Sequence, residues 1–287
     1  MTTFIRNKPY TGPVKAVVLD WAGTAVDHGC MGPAAVFVEA FKRFGVVVSL
    51  AEARGPMGAE KRHHVRLMCA EPEVAGRWHR AHGRDPDEAA QDSLYAAVEE
   101  LMVKAIADHA EPVPGLLDFV AALRDRGVAI GSCSGYTAPM MAVLVPAAAK
   151  QGYSPDVAIS SSEVPAGRPW PWMCFLNAMK LGVQPMEAMV KIGDTVADIH
   201  EGLNAGMWTV GVVRTGNDLG LTEAEAKALG PGLRPRLEQA ARKLKAAGAH
   251  YVVDSVADCL TVLDDVQRRL AKGEIPAPAG AHPAVFV

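Results

Sequence analysis

The sequence has no CxxC pair, no long apolar run and no strong excess of either charge. Its five cysteines, Cys30, Cys69, Cys133, Cys174 and Cys259, are scattered and odd in number. That argues against a disulfide framework or a zinc site and makes a reducing cytoplasm the expected home. The N-terminal "MTTFIRNKPYTG" carries no apolar segment of the signal-peptide kind. No apolar run is long enough to cross a bilayer. The net charge is only −3, so neither a nucleic-acid surface nor an anionic-membrane binder is expected. What is present is ordinary globular material. Apolar residues make up 49% and charged residues 21% of 287 residues, enough for a sizeable core. That length predicts one large domain or two coupled ones.

Short apolar runs recur along the chain. "KAVVLD" (15–20), "VAIGSC" (128–133), "DVAIS" (156–160), "AMVKIG" (188–193), "TVGVV" (209–213) and "HYVVD" (250–254) read as strands buried on both faces of a parallel sheet. Amphipathic helices lie between them. In "PGLLDFVAALRDRG" the expected face is Leu117, Val120 and Leu123, with a stop at Gly127. The alternation predicts an α/β fold with a Rossmann-like parallel-sheet core. The interval 29–109 breaks the rhythm. Val36, Phe37, Ala40, Phe41 and Phe44 fall at helical spacing before Gly45, and Leu94, Val98, Leu101 and Ala105 mark a long second helix. An all-helical cap domain over 29–109 is therefore expected between two pieces of core, 1–28 and 110–270. The Pro- and Gly-rich end, 271–287, reads as a flexible tail. "GPGLRPRLEQAARKLKAAGAH" reads as a solvated basic helix with a broken start.

Ligands in open α/β sheets bind beyond the carboxyl ends of the strands. "VVLDWAGT" puts Asp20 there, "GSCSG" puts Ser132 and Ser134 there, and "KIGDTVAD" puts Asp194 there with Asp198 one turn on. Paired carboxylates can hold Mg²⁺ while one oxygen of Asp20 attacks phosphorus. The alternative, that Asp20 merely caps a turn, loses ground because three strand ends deliver such groups together.

The order of these motifs resembles the haloacid dehalogenase-like superfamily, which implies a Rossmann-like core with a cap inserted after the first strand. Most phosphatases of that superfamily carry D-x-D, the second Asp being a general acid. Here that position is Ala22. An ester phosphatase would thereby lose proton transfer worth about 10²–10⁴-fold. A carbon leaving group needs an electron sink instead, which a lysine imine supplies. Alanine at 22 therefore predicts a lysine in the site. "RGPMGAEKRHHVRLM" offers Lys61, with His64 on the same helical face. Arg62 and other cations are expected to keep Lys61 partly neutral, although charge pattern alone reads this segment as a basic surface helix.

Five motifs in order over about 14–229 ("DWAGTAVDHGC", "MGAEKRHHV", "GSCSGYT", "VPAGRPWPWM" and "KIGDTVADIHEGLNAGMWTVGV") resemble the phosphonoacetaldehyde hydrolase (phosphonatase) family. That resemblance implies hydrolysis of phosphonoacetaldehyde to acetaldehyde and phosphate, with Mg²⁺, in a homodimer. Combined with the chemistry, it implies Asp20 as nucleophile and metal ligand, the Ala22 carbonyl and Asp194 as further ligands, and Asp198 in support. Lys61 would form the imine, His64 would shuttle protons, and Met57 would pack near the lysine. Ser134, the Gly135 N–H and the planar fork of Arg168 would hold the phosphonate. Thr24 and Tyr136 would support loops, and Cys30 with Gly29 would line the entrance. Trp170 and Trp172 are expected to pack against the core. A small phosphonate, with no nucleic acid or membrane, is the expected partner. An ester phosphatase or phosphoglucomutase-like enzyme is opposed by Ala22, a dehalogenase by the carboxylate pair, and a non-catalytic module by the retained nucleophile.

Overall fold

The structure, a computed structural model, describes residues 8–277 and the backbone of Val285–Phe286. Seven parallel strands form one sheet: β1 (Ala16–Leu19), β2 (Ala129–Ser134), β3 (Val157–Ser160), β4 (Met189–Gly193), β5 (Trp208–Val212), β6 (Tyr251–Val253) and β7 (Val285–Phe286). Their order is β3-β2-β1-β4-β5-β6-β7. β1, β4, β5 and β6 are buried throughout their length, as continuous apolar runs between two helical layers require. The six runs read from sequence match β1 to β6 to within about two residues. β7 has no counterpart among them. Of the tail expected over 271–287, residues 278–284 and 287 lie outside the described residues.

Five α-helices fall within the interval 29–109 among the described residues: α1 (Met31–Arg43), α2 (Leu50–Arg54), α3 (Lys61–Ala70), α4 (Pro72–His82) and α5 (Glu88–Ala105). α1 buries Val36, Phe37, Ala40 and Phe41. α5 buries Leu94, Val98 and Met102, while Leu101 and Ala105 are only partly covered. α3 begins where it does because the Glu60 carboxylate accepts from the backbone N–H of Arg62 and His63, both at 2.9 Å.

The remaining helices flank the sheet: α6 (Leu116–Asp125), α7 (Ala138–Lys150), α8 (Trp172–Leu181), α9 (Val196–Asn204), α10 (Glu223–Ala228), α11 (Leu233–Ala246) and α12 (Cys259–Ala271). Three sequence expectations need correction here. The buried face of α6 is Leu116, Phe119, Val120 and Leu123, and Leu117 faces solvent. Helical phase is set by the first buried turn, one residue earlier than the pattern had been phased. Trp170 and Trp172 are 58% and 40% exposed. α8 buries Met173, Cys174, Asn177 and Ala178, while Trp172 is exposed and meets Phe175 edge-on. The basic helix, α11, is solvated on one face only. Leu233, Leu237, Ala240, Ala241 and Leu244 are buried, the stripe an amphipathic helix packs inward.

Candidate active site

The sheet register brings the acidic residues together. Leu19 pairs with Ser132 on β2 and Ile192 on β4, so the next residues, Asp20, Cys133 and Gly193, stand side by side at the carboxyl edge. The Asp20 N–H donates to the Ile192 carbonyl at 2.9 Å. Carboxylate oxygens of Asp20, Asp194 and Asp198 then lie within 4.8 Å of one another, all buried. This is the edge where parallel sheets bind ligands.

Charge on this side of the site is densely paired. Arg168 Nη2 donates to Asp20 Oδ1 at 2.7 Å and to the Cys133 carbonyl at 2.9 Å, and lies 3.0 Å from Asp198. Its Nε donates to Glu201 at 2.8 Å. Lys191 Nζ lies 2.7 Å from Asp198 and 3.7 Å from Glu201. Burial works against both cations, yet the surrounding carboxylates, Asp198 foremost, hold them above their ordinary pKa. Burial also pushes Asp198 up, but Arg168 and Lys191 outweigh it and leave the carboxyl below its usual range.

Asp194 is different. The donors to it are neutral: Thr24 Oγ1 at 2.8 Å, the Asn217 N–H at 2.8 Å and Cys30 Sγ at 3.6 Å. Burial, then the charges of Asp20 and Asp198, push it well above the carboxylate range. Burial also raises Asp20, against the pull of Arg168. Two buried carboxyls with unbalanced negative charge and all-oxygen donors fit a hard divalent cation. Asp20, Asp194 and the Ala22 carbonyl, which Cys30 Sγ reaches at 3.0 Å, are the oxygens available to hold one.

The inserted helices close over this edge. The loop Met57–Gly58–Ala59 fits between two parts of the sheet edge. A Cβ on Gly58 (φ +91°) would stand 2.3 Å from Thr195 Oγ1, and one on Gly135 would stand 2.6 Å from the Ala59 carbonyl. Only glycine permits so close an approach. α3 then delivers Lys61 and His64, both buried. Asp20, Ala22, Cys30, Met57, Lys61, Ser134, Gly135, Tyr136 and Arg168 line one cavity of about 20 Å³, room for about one water molecule.

Lys61 Nζ sits over the rings of Tyr136 (4.8 Å to the centroid) and Phe37 (5.8 Å). Burial lowers its pKa to about 8, despite Asp20. The sequence expectation that Arg62 keeps Lys61 neutral is corrected. Arg62 turns outward, pairs with Asp92 and stacks on Tyr95; desolvation is the main cause, and the cation that adds to it is Arg168. His64 stacks on Phe37 with ring centroids 3.8 Å apart and bonds the Ala53 carbonyl at 2.9 Å. Its Nδ1 is buried with no partner among the described residues. Burial, then Lys61, hold it well below the ordinary imidazole pKa.

The structure thus gathers the residues singled out in the sequence, with some changes of position. Cys30 is not at an entrance; it is buried in the cavity wall. Ser134 Oγ accepts the Tyr136 N–H at 3.2 Å, so it also holds the turn. Asp198 completes a capping box with Thr195 at the start of α9. Arg168 has Nε and Nη2 committed to carboxylates and a carbonyl, so that edge of its fork is taken. A wider cleft of about 430 Å³ is lined by Glu60, His63, Ser161, Gly167, Arg168 and Trp170 among others. Sequence reasoning missed Lys191, Glu201, Arg54 and Asn217. Glu201 lies three residues after Asp198, on the same face of α9, and that spacing was the available signal. The turn-rich "TGNDLG" after the fifth strand run marked Asn217 in the same way.

Residues 14–206 match the model of the haloacid dehalogenase-like hydrolase family. The chain is 63% identical to phosphonoacetaldehyde hydrolase of Nitratidesulfovibrio vulgaris (strain Miyazaki F), over 97% of this chain and all of the relative. It is 44% identical to phosphonoacetaldehyde hydrolase of Bacillus cereus, over 89% of this chain and 97% of that one. Among solved structures, a phosphonoacetaldehyde hydrolase-like protein from Oleispira antarctica superposes with a TM-score of 0.92 at 39% identity, over 96% of this chain and all of the other.

Proposed function

Since the chain belongs to the haloacid dehalogenase-like hydrolases, and within them to the phosphonoacetaldehyde hydrolases, we propose that it cleaves the carbon–phosphorus bond of phosphonoacetaldehyde, giving acetaldehyde and phosphate. One observation carries the reading. A buried, partly neutral lysine shares a cavity with an aspartate at the sheet edge, and the residue two places after that aspartate is an alanine.

The chemistry follows from those groups. The Lys61 amine adds to the aldehyde carbon, and loss of water leaves an iminium. A carboxylate oxygen of Asp20 attacks phosphorus; the carbon–phosphorus electron pair moves into the iminium and forms an enamine. Water then hydrolyses the aspartyl-phosphate, and protonation and hydrolysis of the enamine free acetaldehyde and Lys61. With Mg²⁺ held by Asp20, the Ala22 carbonyl and Asp194, positive charge offsets that of the transferring phosphoryl group. Asp198 and Glu201 fix Arg168, whose Nη2, already on Asp20, would meet the phosphoryl oxygens beside Ser134 and the Gly135 N–H. His64 Nδ1 relays protons near Lys61; its depressed pKa suits a relay more than a proton store. Alanine at 22 keeps a competing carboxylate away from the lysine.

The helices over 29–109 act as a cap on a core formed by 1–28 and 110–270. A cavity with room for about one water cannot admit the substrate, so the cap opens for binding and closes for reaction. The further reading is of a cytoplasmic homodimer serving the degradation of 2-aminoethylphosphonate. The test is to incubate the protein with phosphonoacetaldehyde and Mg²⁺, add borohydride, map any adduct, and follow phosphate in parallel. Phosphate release with an adduct on Lys61 is expected. Brisk turnover of simple phosphate esters with no adduct would overturn the reading.

A further inference from the structure

One set of contacts joins the inserted helices to the sheet edge without touching the reacting groups. Arg54 ends α2. Its Nη1 donates to the Gly29 carbonyl at 2.6 Å and to the carbonyl and Oδ1 of Asn217 at 3.3 and 3.2 Å. Nη2 reaches Met31 Sδ at 3.3 Å. In return Asn217 Nδ2 donates to the Arg54 carbonyl at 3.1 Å. Asn217 is buried, and its own N–H is the 2.8 Å donor to Asp194 Oδ2. The loop is shaped for this. A Cβ on Gly220 (φ +61°) would stand 2.9 Å from Arg54 Cζ, so only glycine lets the guanidinium lie there. The Gly29 N–H donates to the Thr215 carbonyl at 2.7 Å, tying the start of the insert to the same loop.

We propose that Arg54 and Asn217 are positioning residues: a strap that makes the placement of Asp194 depend on closure of the inserted helices. Resting on the proposed function, this means the metal-binding carboxylate is set only when Lys61 is in place. When α2 swings away, Asn217 loses three bonds to Arg54, two through its side chain and one through its backbone carbonyl. Its backbone N–H, no longer held by that side chain, moves off Asp194. One guanidinium nitrogen, Nη1, carries two N–H bonds and so holds Gly29 and Asn217 at once, while Nη2 reaches Met31.

The experiment is a double-mutant cycle with Arg54→Ala, Asn217→Ala and the pair. Three quantities are read: kcat and KM for phosphonoacetaldehyde, Mg²⁺ affinity by calorimetry without substrate, and the melting temperature as a check on folding. Each single variant is expected to lower kcat about tenfold and weaken Mg²⁺ binding by about threefold or more, with KM little changed. The double variant is expected to fall well short of the product of the two single effects, because the bond between Arg54 Nη1 and Asn217 Oδ1 is lost in either single variant. Multiplying effects, or unchanged Mg²⁺ affinity, would overturn the proposal. If an alanine variant does not fold, Arg54→Lys and Asn217→Ser give the same cycle with smaller steps. Should the parent protein not turn over phosphonoacetaldehyde, the proposed function falls, while non-additive Mg²⁺ binding still decides the strap.

Discussion

Lys191 and Lys61 are both buried, and their pKa values are shifted in opposite directions. Lys191 stands on β4 in the sheet edge, 2.7 Å from Asp198. Lys61 stands on α3 in the insert, over two aromatic rings. Burial lowers both. For Lys191 the charge of Asp198 reverses the effect, whereas Lys61 remains lowered, at about 8. Two unit charges 4 Å apart are worth about 4 kcal/mol at an effective dielectric of 20, enough to cancel such a penalty. The contrast teaches that burial alone does not set a lysine's charge; a carboxylate in contact does. The sheet edge keeps its cations charged to organise carboxylates, and the insert keeps its amine available as a nucleophile.

The largest effect belongs to the pair that reacts. Asp20→Asn and Lys61→Met should each lower phosphonoacetaldehyde turnover by about 10⁴-fold or more, measured by phosphate release. An Asp20→Asn protein that still traps borohydride on Lys61 would separate the two halves of the reaction.

Stability sharpens the comparison, because the two lysines should answer in opposite directions. Lys191→Met leaves Asp198 and Glu201 facing one cation fewer in a dry interior, and should destabilise by about 3–5 kcal/mol in denaturant unfolding. Lys61→Met removes a desolvated amine with no contacting carboxylate, and should stabilise. The folded pKa of about 8 lies below the unfolded value of 10.5. Between those pH values the unfolded chain binds more protons, so stability rises with pH through that window. Below about pH 8 the cost is present in full, about 3 kcal/mol. The gain from Lys61→Met should therefore be largest at pH 7 and absent above pH 10.5. A variant that is destabilised at pH 7 would mean that Lys61 is paired after all.

Ala22→Asp would break the asymmetry from the other side. Ala22 lines the cavity with Lys61 and Asp20. A carboxylate there would pair with the lysine and raise its pKa, making it resemble Lys191. Turnover at pH 7 should fall by about 10²-fold, and the rising limb of kcat/KM should move to higher pH. Loss of rate with no movement of the limb would assign the damage to metal or phosphoryl binding.

How much of this was legible in the sequence follows from which signals are local. The sheet was readable because strands buried on both faces must be continuous apolar runs, and because Asp20 and Asp194 stand where those runs stop. Lys61 was reached only through chemistry, from the alanine at 22, since its own neighbourhood is basic and reads as surface. The phase of α6, seen in Leu116 and Leu117, and the exposure of Trp172 depend on which face meets the sheet, and pattern alone does not settle that within one residue. Glu201 and Asn217 owe their roles to Arg168 and Arg54, 33 and 163 residues away; local spacing could mark the two residues but not name those partners.

The smallest expected effect tests the cause of the lysine's state most cleanly. Two accounts predict a low pKa for Lys61: cationic neighbours along its own helix, or desolvation by the closed insert. In the structure Arg62 is about two-fifths exposed and paired with Asp92, where solvent screens its field. Arg62→Gln should therefore leave the kcat/KM limb near pH 8, within about 0.3 pH unit. Phe37→Ser, which opens the wall beneath Nζ to water, should move that limb upward, toward the value of a solvated lysine. If Arg62→Gln moved the limb and Phe37→Ser did not, the contrast between the two lysines would rest on like charges, and the closed insert would have no part in setting it.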